Sequence, residues 1–252
     1  MIAYPNVKVN LGLNVLRKRE DGFHDIETLF VPFDGLYDNL EIVESGRFQV
    51  EIENGEWDPN EDLTTKAYQL MKEEFDLPPV EIYLEKQVPV GAGLGGGSSD
   101  AAFTLRLLNE MFGLKLSDNQ LAERAAKLGS DCAFFIYNEP MIGEGKGDIL
   151  TPYDISFEGY YVDVITPEIE VSTAEAYAGI VPAAPAVNLR DALARPVEEW
   201  RDVLKNDFET SIFKKYPDIA QIKEDLYDEG AVYAAMSGSG SAVFGIFKQK
   251  IL

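Results

Sequence analysis

The chain has 252 residues, 46% of them apolar, enough for one large domain or two smaller ones with a substantial core. Its 22 Lys and Arg against 44 Asp and Glu leave a formal net charge of −22, which excludes nucleic acid and anionic membranes as general partners, since both demand a basic surface. The single cysteine, Cys132, excludes an internal disulfide and a cysteine zinc cluster. The opening MIAYPNVKVNLGLNVL has neither the basic start nor the long apolar region of a signal peptide, and no run approaches the roughly 18 apolar residues of a membrane span. A cytoplasmic protein is expected.

Residues 2–16 predict a strand with Val7, Val9, Leu11, Leu13 and Val15 on one face and Lys8, Asn10, Gly12 and Asn14 on the other. Asp21-Gly22 signals a turn, followed by Phe23 and by His24, the only histidine. Residues 40–53 predict strands with a turn at Ser45-Gly46, and 62–75 an amphipathic helix. VEIYLEKQVPV then reads as a strand that leads into a glycine loop.

That loop, residues 88–113, organises the sequence. Five glycines fall within Gly91–Gly97, Ser98, Ser99 and Asp100 follow, and a helix begins with Phe103, Leu107 and Met111 on its apolar stripe and Gly113 at its end. Glycine lets a ligand approach the backbone, and the unpaired amides and positive dipole end of a helix bind phosphate without a cationic side chain. Ser98 and Ser99 can cap the helix, meet phosphate oxygens or reach a metal riding on them. No lysine follows the glycines, so the Walker loop is excluded. The V-A-I-K, H-R-D and D-F-G stretches of protein kinases are missing as well. A dinucleotide fingerprint is literally present at Gly91, Gly93 and Gly96, with the acidic residue, Glu110, inside the helix rather than at a strand end. At this level the loop fits a dinucleotide site almost as well as a kinase.

Further on, SDNQLAERAAKLG predicts a helix with a capping box at Ser117 and Gln120 and a stop at Gly129, delivering Asp131 beside the apolar AFFIY. EGKGDILTPY reads as a loop and domain connection, YYVDVITP as a strand, and VSTAEAYAGI as a helix capped by Ser172 or Thr173. Residues 181–196 read as loop or short helix, 197–213 and 217–229 as helices, and AVYAAM and AVFGIF as strands around a small-residue loop, Ser237–Ser241.

Three stretches in order, PNVKVNLGL at 5–13, PVGAGLGGGSSDAA at 89–102 and MSGSGSAVFG at 236–245, resemble the motifs of the GHMP kinase superfamily. DGFHDIETLF at 21–30, LGSDCAFFI at 128–136, VSTAEAY at 171–177 and NDFE at 206–209 are similar to the branch whose substrate carries a cytidine diphosphate group on a methylerythritol. The resemblance implies an α+β, two-domain GHMP kinase fold: a ribosomal protein S5 domain 2-like N-terminal domain over 1–150 and a ferredoxin-like domain over 151–252. It implies ATP and Mg²⁺, transfer to the 2-hydroxyl of the substrate, and a monomer or weak homodimer.

Residue by residue, Lys8 and Asp131 match the catalytic pair. Pro89, Val90, Gly91, Ala92, Gly93, Leu94, Gly95, Gly96, Gly97, Ser98 and Ser99 match the ATP loop. Phe23 and His24 match positions that hold the cytosine ring, and Asn10, Thr173 and Tyr177 other substrate-side positions. Gly238 and Gly240 belong to the third motif, which supports the site. The chain departs from the pattern at Phe23, where tyrosine is commoner, at Cys132-Ala133, where Val-Pro is usual, and at Asp62-Leu63, where an Asn-Leu pair stands near the adenine. It also stops soon after AVFGIF, where relatives continue with a helix and a strand, so the second domain is expected to be incomplete. The rivals are a GHMP kinase for another small alcohol (mevalonate- or homoserine-like), a catalytically silent nucleotide-binding regulator of the same fold, and a nicotinamide oxidoreductase.

Overall fold

The structure, a computed structural model, describes residues 1–55 and 57–249. Its residues fall into two units that interleave along the chain: Met1–Val7, Asp34–Val90 and Gly95–Glu139 form the first, and Lys8–Phe33, Gly91–Leu94 and Pro140–Leu252 the second.

The first unit is a sheet covered by helices. Strands β1 (Ile2–Ala3), β4 (Asn39–Glu44), β5 (Gln49–Glu53) and β6 (Val80–Glu85) lie in the order β1-β4-β6-β5. β4 pairs with β6 antiparallel and β5 with β6 in parallel. The parallel pair needs a crossover, which α1 (Leu63–Phe75) supplies. Asp62 caps α1 by accepting from the Thr64 amide, as the preceding non-helical residue should. α1 packs on α2 (Gly96–Met111), and α2 on α4 (Cys132–Tyr137), with α3 (Asp118–Ala125) beside α4. Leu40, Ile42, Tyr68, Ile82, Leu84, Leu105, Leu108, Phe134 and Phe135 are all buried there.

The expected capping box is present at Ser117 and Gln120. α3 ends before the predicted Gly129, because residues 126–128 tighten into turns. Gly113 does adopt the left-handed conformation after α2, with φ +59°. The buried residues of α2 include Ala101, Thr104, Leu105, Leu108 and, from the expected stripe, Leu107, whereas Phe103 and Met111 are only half-buried. AFFIY is itself helical, a short element held where Arg106 donates to the Ile136 carbonyl at 2.8 Å.

In the second unit, β2 (Asn6–Lys18) and β3 (His24–Tyr37), whose first residues and last residues respectively cross into the other unit, join β7 (Met141–Glu144) and β8 (Ile149–Pro152) in the order β2-β3-β7-β8. The stretch 144–153, expected to be a loop and domain connection, instead supplies the turn and second strand of a hairpin, with β8 antiparallel to β7. A three-stranded sheet orders β10 (Tyr233–Met236), β11 (Val243–Lys248) and β9 (Tyr160–Ile165) as β10-β11-β9. Helices α5 (Thr173–Ala178), α6 (Leu189–Leu193), α7 (Trp200–Val203), α8 (Glu209–Lys215) and α9 (Pro217–Asp228) complete the unit. Its core gathers Leu13, Val15, Ile26, Val171, Phe208, Ile212, Ile219, Leu226 and Val243.

The single helix expected over 197–213 is broken. A 3₁₀ turn and α7 end at Val203, and Leu204 is extended. Residues 205–207 then run parallel beside Leu13: the Leu13 amide donates to Lys205 O at 2.8 Å and the Asp207 amide to Leu13 O at 2.9 Å. Long-range pairing thus overrides the local helical pattern. Among the described residues, no helix is long and apolar enough to cross a membrane.

Candidate active site

The second unit surrounds Lys8. β2 alternates as expected, but both of its faces are buried from Asn6 to Val15. Lys8 is only 3% exposed, and Nζ donates to Asn10 Oδ1 at 2.6 Å and to Gly93 O at 2.9 Å. The Lys8 amide donates to Leu94 O at 3.0 Å, so backbone and side chain hold the same short segment of the glycine loop. Asn10 Nδ2 donates to Thr28 Oγ1 at 3.0 Å, and that hydroxyl donates onward to Gly12 O. Asn10, expected on the substrate side, uses both ends of its amide to orient Lys8.

Gly93 also meets the serine–glycine loop at 237–241. Ser237 Oγ donates to Gly93 O at 3.0 Å and lies 3.4 Å from Asn10 Oδ1. Gly93 has φ +76°, and a Cβ there would stand 2.1 Å from Ser237 O. Only glycine permits this approach of two backbones.

The cytosine-side candidates sit elsewhere in the same unit. His24 stacks on Tyr177, with ring centroids 4.7 Å apart and planes 17° from parallel. Tyr177 meets Phe208 edge-on at 4.9 Å. Burial, reinforced by the Lys18 charge, pulls the His24 pKa below its ordinary value, so the ring is neutral at pH 7. Phe23 is exposed, with the Lys146 ammonium 4.9 Å from its centroid. Thr173 is the first residue of α5, after the Ser172 cap, and its Oγ1 lies 3.4 Å from Ser239 Oγ.

The first unit contributes the helix end. Gly95, with φ 76°, caps α2 without a side-chain hydrogen bond, leaving the first amides of a 16-residue helix for an anion. A Cβ on Gly96 would come within 2.9 Å of Val88 Cγ1, so strand exit and helix start nearly touch. Ser99 Oγ is buried with no hydrogen-bond partner among the described residues, an orphaned hydroxyl suited to a phosphate oxygen or to magnesium carried on one. Among the described residues no group of three or more His, Cys, Asp or Glu side chains is placed to hold a metal. Asp131 caps α4 and accepts from Ser130 Oγ at 3.3 Å.

Asp100 turns into the first unit. Lys86 Nζ lies 2.6 Å from Asp100 Oδ2 and also bonds Asp38. Asp38 Oδ1 accepts from the amides of Gln87 and Val88 at 2.6 and 2.8 Å. Burial, outweighing the Lys86 ammonium, pushes the Asp100 carboxyl up to about 8. Sequence reasoning passed over Lys86 and Asp38. Lys86 carried a signal: it shares strand parity with Val80, Ile82, Leu84 and Val88, all buried.

Comparison with known proteins agrees with this layout. The GHMP kinases N terminal domain family matches residues 62–139, and the GHMP kinases C terminal family residues 187–251. A 4-diphosphocytidyl-2-C-methyl-D-erythritol kinase of Bacteroides fragilis is 51% identical, over 98% of this chain and 92% of its own length. The protein of that name from Bacteroides thetaiotaomicron is 50% identical, over 98% and 92%. A crystal structure of 4-(cytidine 5'-diphospho)-2C-methyl-D-erythritol kinase superposes with a TM-score of 0.84 at 32% identity, over 97% of this chain and 89% of that one. A mevalonate kinase structure, at 14% identity and a TM-score of 0.70, shares the fold over 98% of this chain and 91% of its own. The chain belongs to the GHMP kinases and, within them, to the 4-diphosphocytidyl-2-C-methyl-D-erythritol kinase family.

Proposed function

We propose that the chain transfers the γ-phosphoryl group of ATP to the 2-hydroxyl of 4-diphosphocytidyl-2-C-methyl-D-erythritol, in the non-mevalonate route to isoprenoid precursors. The observation that carries this reading is the setting of Lys8, a buried ammonium bonded to the carbonyl of Gly93 within the glycine loop. A lysine kept there for solubility makes no sense, whereas one that meets a transferring phosphoryl group does.

Phosphoryl transfer is mainly positioning and charge stabilisation. The amides of residues 89–99 and the dipole of α2 hold the triphosphate. Lys8 stabilises charge on the group in transit. Asp131 orients the alcohol and accepts its proton as the new bond forms. Phe23, His24 and Tyr177 bind the cytosine by stacking and hydrogen bonding, with Thr173 on the same substrate. Ser98 and Ser99 are the hydroxyls that would hold a Mg²⁺ ion, which would supply charge neutralisation at the phosphate oxygens. Asp100, turned toward Lys86, leaves the anion site free of a competing carboxylate. The proposed enzyme works in the cytoplasm, as a monomer or weak homodimer.

The test is an ADP-release assay with the cytidyl substrate, with mevalonate and homoserine in parallel. Turnover of the cytidyl substrate alone is expected. Turnover of either control at a comparable kcat/KM would overturn the substrate assignment, and no ADP from any of the three would leave a silent regulator.

A further inference from the structure

The four residues Asn206-Asp207-Phe208-Glu209 lead from the break after α7 into the first residue of α8, and each has a separate packing or bonding task in the second unit. Asn206 is 3% exposed. Its Nδ2 donates to Met236 O at 2.7 Å and to Gly238 O at 2.8 Å, and its Oδ1 accepts from the Phe208 amide at 3.0 Å. Two carbonyls on one side and an amide N–H on the other fix the orientation of the side-chain amide. Asp207 accepts from the Val15 amide at 2.7 Å, further along the strand that carries Lys8. Phe208 fills the core beside Leu13 and Val15. Glu209 accepts from the Met236 amide at 2.9 Å and pairs with Lys223 at 2.7 Å.

The segment thus grips β2 with its backbone and Asp207, and grips the start of the serine–glycine loop with Asn206 and Glu209. That loop, through Ser237, meets the Gly93 carbonyl that also accepts from Lys8. The bonded path runs from Asn206 to Met236 and Gly238, to Ser237, to Gly93, to Lys8.

We propose that Asn206 is a positioning residue for phosphoryl transfer: its two donated hydrogen bonds set the Ser237–Ser241 loop so that Ser237, Gly93 and Lys8 keep one geometry. The proposal rests on the reading of Lys8 as the phosphoryl-stabilising group. Burial of Asn206 removes it from contact with substrate, so its effect reaches the reaction only through the loop. A displacement of about 1 Å in such a group costs on the order of 100-fold in rate.

The test is kinetic. Asn206→Asp keeps the acceptor for the Phe208 amide but loses both donated bonds, and Asn206→Ser is a smaller change that removes the same donors without adding a charge. For folded protein, with the fraction folded read by circular dichroism, kcat is expected to fall about 10- to 100-fold. Ser237→Ala should lower kcat alone, and the double variant with Asn206→Ser should fall no further than the worse single one, since both act on one link. An Asn206 residue that only holds the fold would change the fraction folded and leave kcat per folded molecule at the wild-type value. That result, additive losses in the double variant, or failure of both Asn206 variants to fold would overturn the proposal. Loss of wild-type turnover with the cytidyl substrate would instead overturn the reading on which it rests.

Discussion

Lys86 Nζ stands 2.6 Å from Asp100 Oδ2, with both side chains almost wholly shut off from solvent. One residue directly follows the strand that leads to the glycine loop, and the other lies just past the first turn of the helix that leaves it. Because Lys86 also bonds Asp38, which accepts from two amides at the strand exit, the entry and exit of the loop share a single ammonium. Removing Lys86 takes the shared hydrogen-bond donor away from two buried carboxyl groups. Lys86→Met is expected to lower unfolding free energy by about 3–5 kcal/mol. Lys66→Met, which removes the exposed pair with Glu61, should cost less than about 1 kcal/mol. Urea denaturation of both variants at pH 7 decides, and equal costs would refute a structural role for the clamp.

Lys8 is held by an amide oxygen and a carbonyl oxygen at a point where the strand has buried both faces. A guanidinium is planar, longer and donates as a fork, so it does not reproduce this point contact. Lys8→Arg is therefore expected to lose nearly as much turnover as Lys8→Met. Asp131→Asn should keep the fold and lose about 10²–10⁴-fold in kcat. A Lys8→Arg enzyme within tenfold of wild type would show that only charge matters there.

Phe23 offers an exposed ring near Lys146, while His24 and Tyr177 are already stacked on one another. An aromatic contact of this kind contributes about 0.5–1.5 kcal/mol. Phe23→Ala is expected to raise KM for the cytidyl substrate roughly 2- to 10-fold and to leave KM for ATP unchanged. Steady-state kinetics with each substrate varied in turn separates this from general destabilisation, which would move both.

Gly93 and Gly22 both have positive φ, but only Gly93 faces another backbone. A left-handed L-residue costs about 1–2 kcal/mol. Gly22→Ala should lose about that and stay active. Gly93→Ala adds a clash with Ser237 O that flexible side chains cannot relieve, so it should lose activity and show a much lower Tm. Thermal melts and the ADP assay on the two variants make the comparison.

Cys132 is buried in the first turn of α4, and burial pushes its thiol up to about 12. The thiolate is the reactive form, and at pH 8 it is a vanishing fraction of the native protein. A disulfide reagent should leave the native enzyme unlabelled at pH 8 and modify one thiol after guanidinium is added. Rapid native labelling with loss of activity would place the thiol in an open site.

Much of this architecture was legible from local pattern. The Ser117 capping box, the Gly113 helix end, the strand parity of β6 and the glycine loop all depend on neighbours within a few positions. The misreadings lie where distant partners decide. Residues 197–213 carry a helical pattern, yet Asn206 and Asp207 spend their bonds on Met236, Gly238 and Val15. The side chain of Asp100 is set by Lys86, 14 positions away, which it shares with Asp38. The bonds from Asn10 to Lys8 and Thr28, which lie beside its expected substrate-side role, likewise depend on partners that local pattern does not reveal. For the candidate site, sequence supplied the residues, and the structure supplied which of them hold one another within each unit.

The bond from Ser237 to Gly93 spans 144 positions, and the approach of Ser237 to Asn10 spans 227. β2 and its lysine are made early, but Ser237, which donates to the same Gly93 carbonyl as Lys8, is made long after both. A nascent chain that has passed Ser99 and not yet reached Ser237 carries the glycine loop without the serine that braces it. Truncation within that interval therefore yields polypeptides with the phosphate-binding motif and an incomplete lysine setting.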